Sequence, residues 1–196
     1  MAEVLVDQTT KAFQTNWNNS ATRSGQLFLP PAGETWRITE ISVYGAGNWV
    51  AGECYLAIGV CKTKTYWNPN NGFRLGEYSY LRLTDDGEKH TWDLTSLNGD
   101  SHGYSDGWLV DYSNLWWFAI RHVAGAFSGT IHGSTGYAPA GASATIEAFD
   151  SNNSGGTWNK PATWVTTPND LRFEIQGEQV AAAGGAQHNT NPTWSF

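Results

Sequence analysis

Along most of this chain, apolar and polar residues alternate with a period of two. That is the signature of strands with one face buried and one face wet. Glu77 to Leu83 alternates cleanly. In Lys89 to Leu94, the residues His90, Trp92 and Leu94 share a face. Farther along, Leu171, Phe173 and Ile175 point one way while Arg172 and Glu174 point the other. Glu34 to Tyr44 is different. Trp36 and Ile38 are in phase with each other, but Ile41 and Val43 are out of phase with them. One extra residue near Thr39-Glu40, a β-bulge, would restore a single apolar face. Leu115 to His122 is apolar on both sides, with Leu115, Trp117 and Ala119 against Trp116, Phe118 and Ile120. Such a strand is expected to be central and covered on both faces.

Further strands are expected at Val4 to Val6, at Gln26 to Leu29 before Pro30-Pro31, at Cys54 to Cys61 and at Trp108 to Tyr112. Ala126 to His132 and Ala144 to Phe149 carry weaker patterns. Turn-rich segments lie between them: Gln8 to Arg23, Gly45 to Gly52, Lys62 to Gly76, Ser96 to Gly107 and Ser151 to Asn169. Asp85-Asp86-Gly87 reads as a hairpin turn. No stretch carries a helical period. The pattern predicts an all-β fold, a two-layer antiparallel β-sandwich of jelly-roll type, over residues 1–177. Residues 178–196 break the pattern. Ala181 to Ala186 is a small-residue linker, and an extended C-terminal arm follows, ending Trp194-Ser195-Phe196.

Composition narrows the function. Charged residues are 15% of the chain, below the usual quarter, so Asn, Ser, Thr and Gly must build much of the surface. Such surfaces suit crowded assemblies and sugar contacts. The net charge of −7, with no basic run, argues against nucleic acid as a partner. No apolar stretch reaches the length of a membrane span. Met1-Ala2-Glu3-Val4 does not start a secretory signal, so folding in a reducing cytoplasm is expected. Cys54 and Cys61 fall on opposite faces of one strand, separated by about 20 Å when extended, too far to pair. They read as small buried apolar residues.

The order of segments resembles a known family. Val6-Asp7-Gln8 opens the chain, followed by Gly25-Gln26-Leu27-Phe28, Ile38 to Val43 and Tyr55 to Val60. Thr91-Trp92-Asp93-Leu94, Leu115 to Ile120 and Leu171-Arg172-Phe173-Glu174-Ile175 complete it. Over Val4 to Gly177 this resembles the β-sandwich domains called choice-of-anchor modules and related jelly-roll modules of bacteriophage tail and virion proteins. The resemblance implies a display or adhesion module without enzyme activity. Cell-surface members carry a signal peptide and an anchor. This chain shows neither pattern, so the phage-like branch is the expected one, with the virion as its location.

Candidate chemistry is sparse. Gly103-Tyr104-Ser105-Asp106-Gly107 matches G-x-S-x-G, but a nucleophile elbow needs a helix after it, and strands are expected there. Asn98, Asp100, His102 and Asp106 crowd one loop; Asp85, Asp86 and Glu88 crowd another. Their oxygens suit a structural calcium ion, yet they lack EF-hand spacing and turn chemistry accounts for them. No cofactor and no catalytic residue is expected. His90, His122 and His132 read as polar members of sheet faces. Asn18-Asn19-Ser20 and Asn152-Asn153-Ser154 match the glycosylation sequon by chance in a cytoplasmic chain.

The aromatic residues in predicted loops are the best lead. Trp49, Tyr66, Trp67, Tyr104, Trp158 and Trp164 lie outside the strand alternation. Their faces could stack on glycans or anchor a partner protein. The competing reading packs them as lids on the sandwich ends. At 14% aromatic content the surface is also expected to self-associate, as a trimer or within a shell. Trp194 and Phe196 are the expected anchors of an assembly arm. Expected partners are other copies of the chain, other virion proteins and host glycans. A carbohydrate-binding module or lectin-like adhesin is the alternative function.

Overall fold

The computed structural model describes residues 2–16, 23–47, 49, 54–61, 72–79, 88–95, 107–122, 129–134, 137, 139, 148–151 and 170–180. Among the described residues there are thirteen strands and no helix. They are β1 (Glu3–Gln8), β2 (Phe13–Asn16), β3 (Arg23–Phe28), β4 (Thr35–Gly47), β5 (Cys54–Cys61), β6 (Gly72–Ser79) and β7 (Lys89–Asp93). The rest are β8 (Trp108–Asp111), β9 (Trp116–His122), β10 (Gly129–Ser134), β11 (Ala148–Ser151), β12 (Asp170–Leu171) and β13 (Phe173–Val180). Every described pairing is antiparallel.

Strand β4 is the spine of the larger sheet. One edge pairs β13, which in turn pairs β1. The other edge pairs β8 over Thr35 to Ile38 and β7 over Glu40 to Tyr44. The last residues of β4, Gly45 to Gly47, pair β10, which also carries β2 and β12. The smaller sheet runs β11-β3-β9-β5-β6. Its middle strand is β9, and Leu115 to Ile120 is buried throughout, as the two-faced apolar pattern requires.

The phase change in β4 is a bulge at the expected place. Gln176 faces Glu40 and the next residue, Gly177, faces Ile38, leaving Thr39 as the extra residue. Its carbonyl does not go to waste: Leu94 N donates to Thr39 O at 2.7 Å. The partner strand closes on the bulge tightly. A Cβ on Gly177 would sit 2.2 Å from Arg37 O, so only glycine fits. The bulge turns Trp36, Ile38, Ile41 and Val43 to one side, and all four are buried.

The two sheets share one core. Ile38, Ile41, Val43, Trp92, Phe173 and Ile175 come from the larger sheet; Phe28, Leu56, Ile58, Trp116, Phe118 and Ile120 come from the smaller. Phe118 reaches across, its ring centroid 5.5 Å from that of Phe173 on the larger sheet and 6.4 Å from that of Phe28 on its own sheet. Trp92 Nε1 donates across to Cys54 O at 3.3 Å, so this fully buried side chain also satisfies its polar atom. Burying a phenylalanine or isoleucine stabilises by about 1.5–3 kcal/mol each. Leu27, Leu29, Cys61, Leu115, Trp117 and Ala119 form a second buried cluster on the other face of the smaller sheet. Cys54 and Cys61 thus lie in different clusters as thiols, not as a disulfide.

Some boundaries differ from the sequence reading. Strand β2 lies in the segment read as turns; its partner β10 supplies the ladder that its own residues do not announce. Strand β6 begins at Gly72 and ends at Ser79, upstream of the predicted Glu77 to Leu83. There it follows its partner β5, with a register shift between Ile58 and Gly59. Strand β4 runs on to Gly47, into the predicted turn, because β10 extends its ladder. Strand β13 runs on to Val180, paired with Thr35. The Asp85-Asp86-Gly87 turn lies outside the described residues.

Candidate functional site

Three polar clusters stand out among the described residues. The first ties the two sheets together from inside. Gln26 on β3 alternates in phase with Phe28 and so points inward, where a polar group must find a partner. Asp170 on β12, 0% exposed, provides it. Gln26 Nε2 donates to Asp170 Oδ1 at 3.0 Å, and Leu171 N donates back to Gln26 Oε1 at 2.8 Å. Asp170 Oδ2 accepts Tyr137 N at 2.9 Å. The Tyr137 hydroxyl accepts Leu29 N at 3.2 Å, and its ring meets Phe173 edge-on at 5.3 Å. Burial pushes the Tyr137 phenol far above its ordinary range, so it stays neutral. The arrangement is a clamp.

The second cluster lies on the face of the larger sheet away from the shared core, where Ser42 and Thr91 are themselves buried. Ser42 and Thr91 share a hydrogen bond of 2.9 Å, and Lys89 Nζ meets Glu174 Oε1 at 2.9 Å. Arg37 Nε lies 3.5 Å from Glu178 Oε1. Glu40 faces Asp93 directly across β4 and β7. Burial, then the Asp93 charge, raises the Glu40 carboxyl above its ordinary pKa, with Lys89 opposing. This face is a lattice of cross-strand pairs.

The third cluster gathers where β10, β12 and the start of β7 meet. Arg172 lies between β12 and β13. Its Nη1 is 3.2 Å from Glu88 Oε2, its Nε donates to Thr9 O, and its guanidinium lies 4.0 Å above the Tyr44 ring. His132 on β10 is 0% exposed, with Nδ1 3.8 Å from the same Glu88 oxygen, too far for a hydrogen bond. Neither ring nitrogen of His132 has a hydrogen-bond partner among the described residues. Burial first, then Lys11 and Arg172, holds the imidazole below its ordinary pKa, while Glu88 pulls the other way.

Of the residues expected in a ligand platform, Trp49 is described. It is 6% exposed and belongs to the shared core. Its ring stacks on His90 at 4.1 Å, and His90 Nε2 lies 3.0 Å from Gly45 O. Tyr66, Trp67, Tyr104, Trp158, Trp164, Trp194 and Phe196 lie outside the described residues. So do Asp85, Asp86, Asn98, Asp100, His102 and Asp106. Glu88 faces Arg172 and His132. After Gly107 the chain enters β8, a strand, where a nucleophile elbow would need a helix. His90 on β7 and His132 on β10 are members of the larger sheet, and both are buried. No group of three metal-ligating side chains occurs among the described residues, nor does a helix long and apolar enough to cross a membrane.

The sequence reading did not single out Asp170, did not pair it with Gln26, and did not bring Glu88, His132 and Arg172 together. Gln26 did leave a signal: a polar residue in phase with Phe28 in a strand must be paired inside. Asp170 left none, because it follows a polar, turn-rich segment. Comparison of the chain with protein-family models and with curated proteins found no match in either.

Proposed function

We propose that this chain is a non-enzymatic structural protein of a tailed-bacteriophage virion, a capsid decoration or a tail- or fibre-associated subunit. In this reading the two sheets form a two-layer sandwich of jelly-roll type. The observation that supports it most is the antiparallel pair of sheets around one aromatic core, tied by the Gln26–Asp170 clamp. Such a body is stiff, and stiff parts lose little conformational freedom when they assemble. On the face of the larger sheet away from that core, the Ser42–Thr91 and Lys89–Glu174 pairs are likewise held in place. Purified particles should contain the chain at a high and fixed copy number; particles that lack it would overturn the reading.

The self-association and the arm belong to the same proposal. Truncation after Val180 leaves β13 whole and removes Trp194 and Phe196. The truncated chain should fold and fail to assemble or attach. Normal assembly, read as native mass, would remove the arm from the proposal.

The loop aromatics support a second reading as a carbohydrate-binding module. Its platform would draw on Tyr66, Trp67, Tyr104, Trp158 and Trp164, and not on Trp49, whose ring is buried against His90. On a glycan array, defined hits lost on Trp67→Ala or Trp158→Ala would favour it; an empty array would leave the virion reading alone.

A further inference from the structure

We infer that His132 is an acid-sensitive catch that holds strand β2 and the segment before it against β10. The catch is made of few parts. Arg172 is the staple: its backbone N donates to His132 O at 2.9 Å, its Nε donates to Thr9 O, and Nη1 pairs with Glu88 at 3.2 Å. One residue therefore connects the chain after β1 and the residue before β7 through its side chain, and β10 through its backbone. Ala12 N donates to Gly133 O at 2.9 Å, and Phe13 to Asn16 follow on the same edge of β10. His132 sits under this staple with no room for water to reach it and with both nitrogens unmet among the described residues.

A proton on His132 changes the balance of the group. Among the described residues, the charged groups that face it are Lys11 from the chain between β1 and β2, Glu88 just before β7, and Arg172 from the chain between β12 and β13. Two of the three are positive. The imidazolium would be repelled by both and would compete with Arg172 for the one carboxylate, 3.8 Å away. Glu88 is 47% exposed, so its side chain has freedom to leave Arg172. If it turns to His132, the staple loses its anion; if it does not, a charge stays buried without a partner. Either outcome weakens the hold on Thr9 to Asn16.

The direction with pH follows. The folded imidazole has a lowered pKa, with burial the main cause, so the unfolded or opened state takes up the proton first. The hold is complete above the ordinary value of 6.5 and is lost as pH falls from there through the lowered folded value.

Amide hydrogen exchange on the full chain, corrected for intrinsic rates, tests this. Between about pH 7.5 and about pH 5, the amides of β2 and β10 should lose roughly tenfold in protection, while those of β3 and β9 hold theirs. In His132→Phe, which cannot take a proton, the two pH values should give the same protection. Glu88→Gln is at a partly exposed position and guards against a His132 variant that does not fold. It removes the opposing charge that Glu88 supplies, so the protection ratio between the two pH values should widen. Unchanged β2 and β10 protection in the wild type would overturn the inference. So would an acid loss that persists in His132→Phe, or a ratio that Glu88→Gln does not widen.

Discussion

Two polar clusters hang on neighbouring residues, Asp170 and Arg172, and they are built in opposite ways. Around Asp170 each polar atom meets another: Gln26 with the carboxylate, Leu171 N with Gln26, Tyr137 N with the second carboxylate oxygen. Around Arg172 the histidine is left out. His132 is as buried as Asp170, yet its nitrogens have no hydrogen bonds among the described residues. A satisfied buried network resists opening because opening unmakes its bonds. A half-satisfied one loses less by opening and responds to a proton. Both His90 and His132 are buried on strands of the larger sheet, but His90 has Gly45 O at 3.0 Å and the Trp49 ring stacked against it.

Asp170→Ala should have the largest effect. It leaves Gln26 Nε2 and Tyr137 N buried without their acceptor, a loss of about 3 kcal/mol or more. Denaturant unfolding measures it. Gln26→Ala should cost roughly 2 kcal/mol, and the double variant less than the sum, because the two share bonds. Additive losses would mean that the cluster is not a clamp.

The two histidines come next. His90→Phe keeps a ring against Trp49 but gives up the contact with Gly45 O, and should cost about 1–2 kcal/mol at neutral pH. His132→Phe gives up no hydrogen bond and removes two unmet nitrogens, so stability at neutral pH should hold or rise. Equal losses at both positions would erase the distinction drawn between them.

Glu40 should show a pH response opposite in sign to that of His132. Its folded carboxyl has a raised pKa, from burial and then from Asp93, so the folded state takes up a proton before the unfolded one. Its ionised form weakens the fold above the raised value, and that weakness fades as pH falls towards the ordinary 4.5. Glu40→Gln should therefore raise stability at neutral pH and flatten the profile on the acid side, in chemical denaturation run across pH. The smallest effect belongs to the rim of the same face. Arg37→Met breaks a pair whose Glu178 side chain is 58% exposed, and should change stability by less than about 0.5 kcal/mol, with further screening by salt.

Short-range periodicity is legible in the chain before it folds. The phase change from Trp36-Ile38 to Ile41-Val43 located a bulge at Thr39, since a period of two leaves no other way to bury all four. The two-faced apolar run at Leu115 to Ile120 marked the middle strand of a sheet for the same reason. The tertiary structure decided what depends on residues far away in the chain. Strand β2 exists because β10 offers it a ladder, and no property of Phe13 to Asn16 alone would create it. Trp49, read as a loop aromatic, is inside because Gly45 and His90 leave it a slot. His90 and His132 look alike in their strands. The structure gives one a hydrogen-bonding distance to a carbonyl and the other a carboxylate just out of reach, because the partner across a sheet is set by register and topology, and period-two patterning encodes neither.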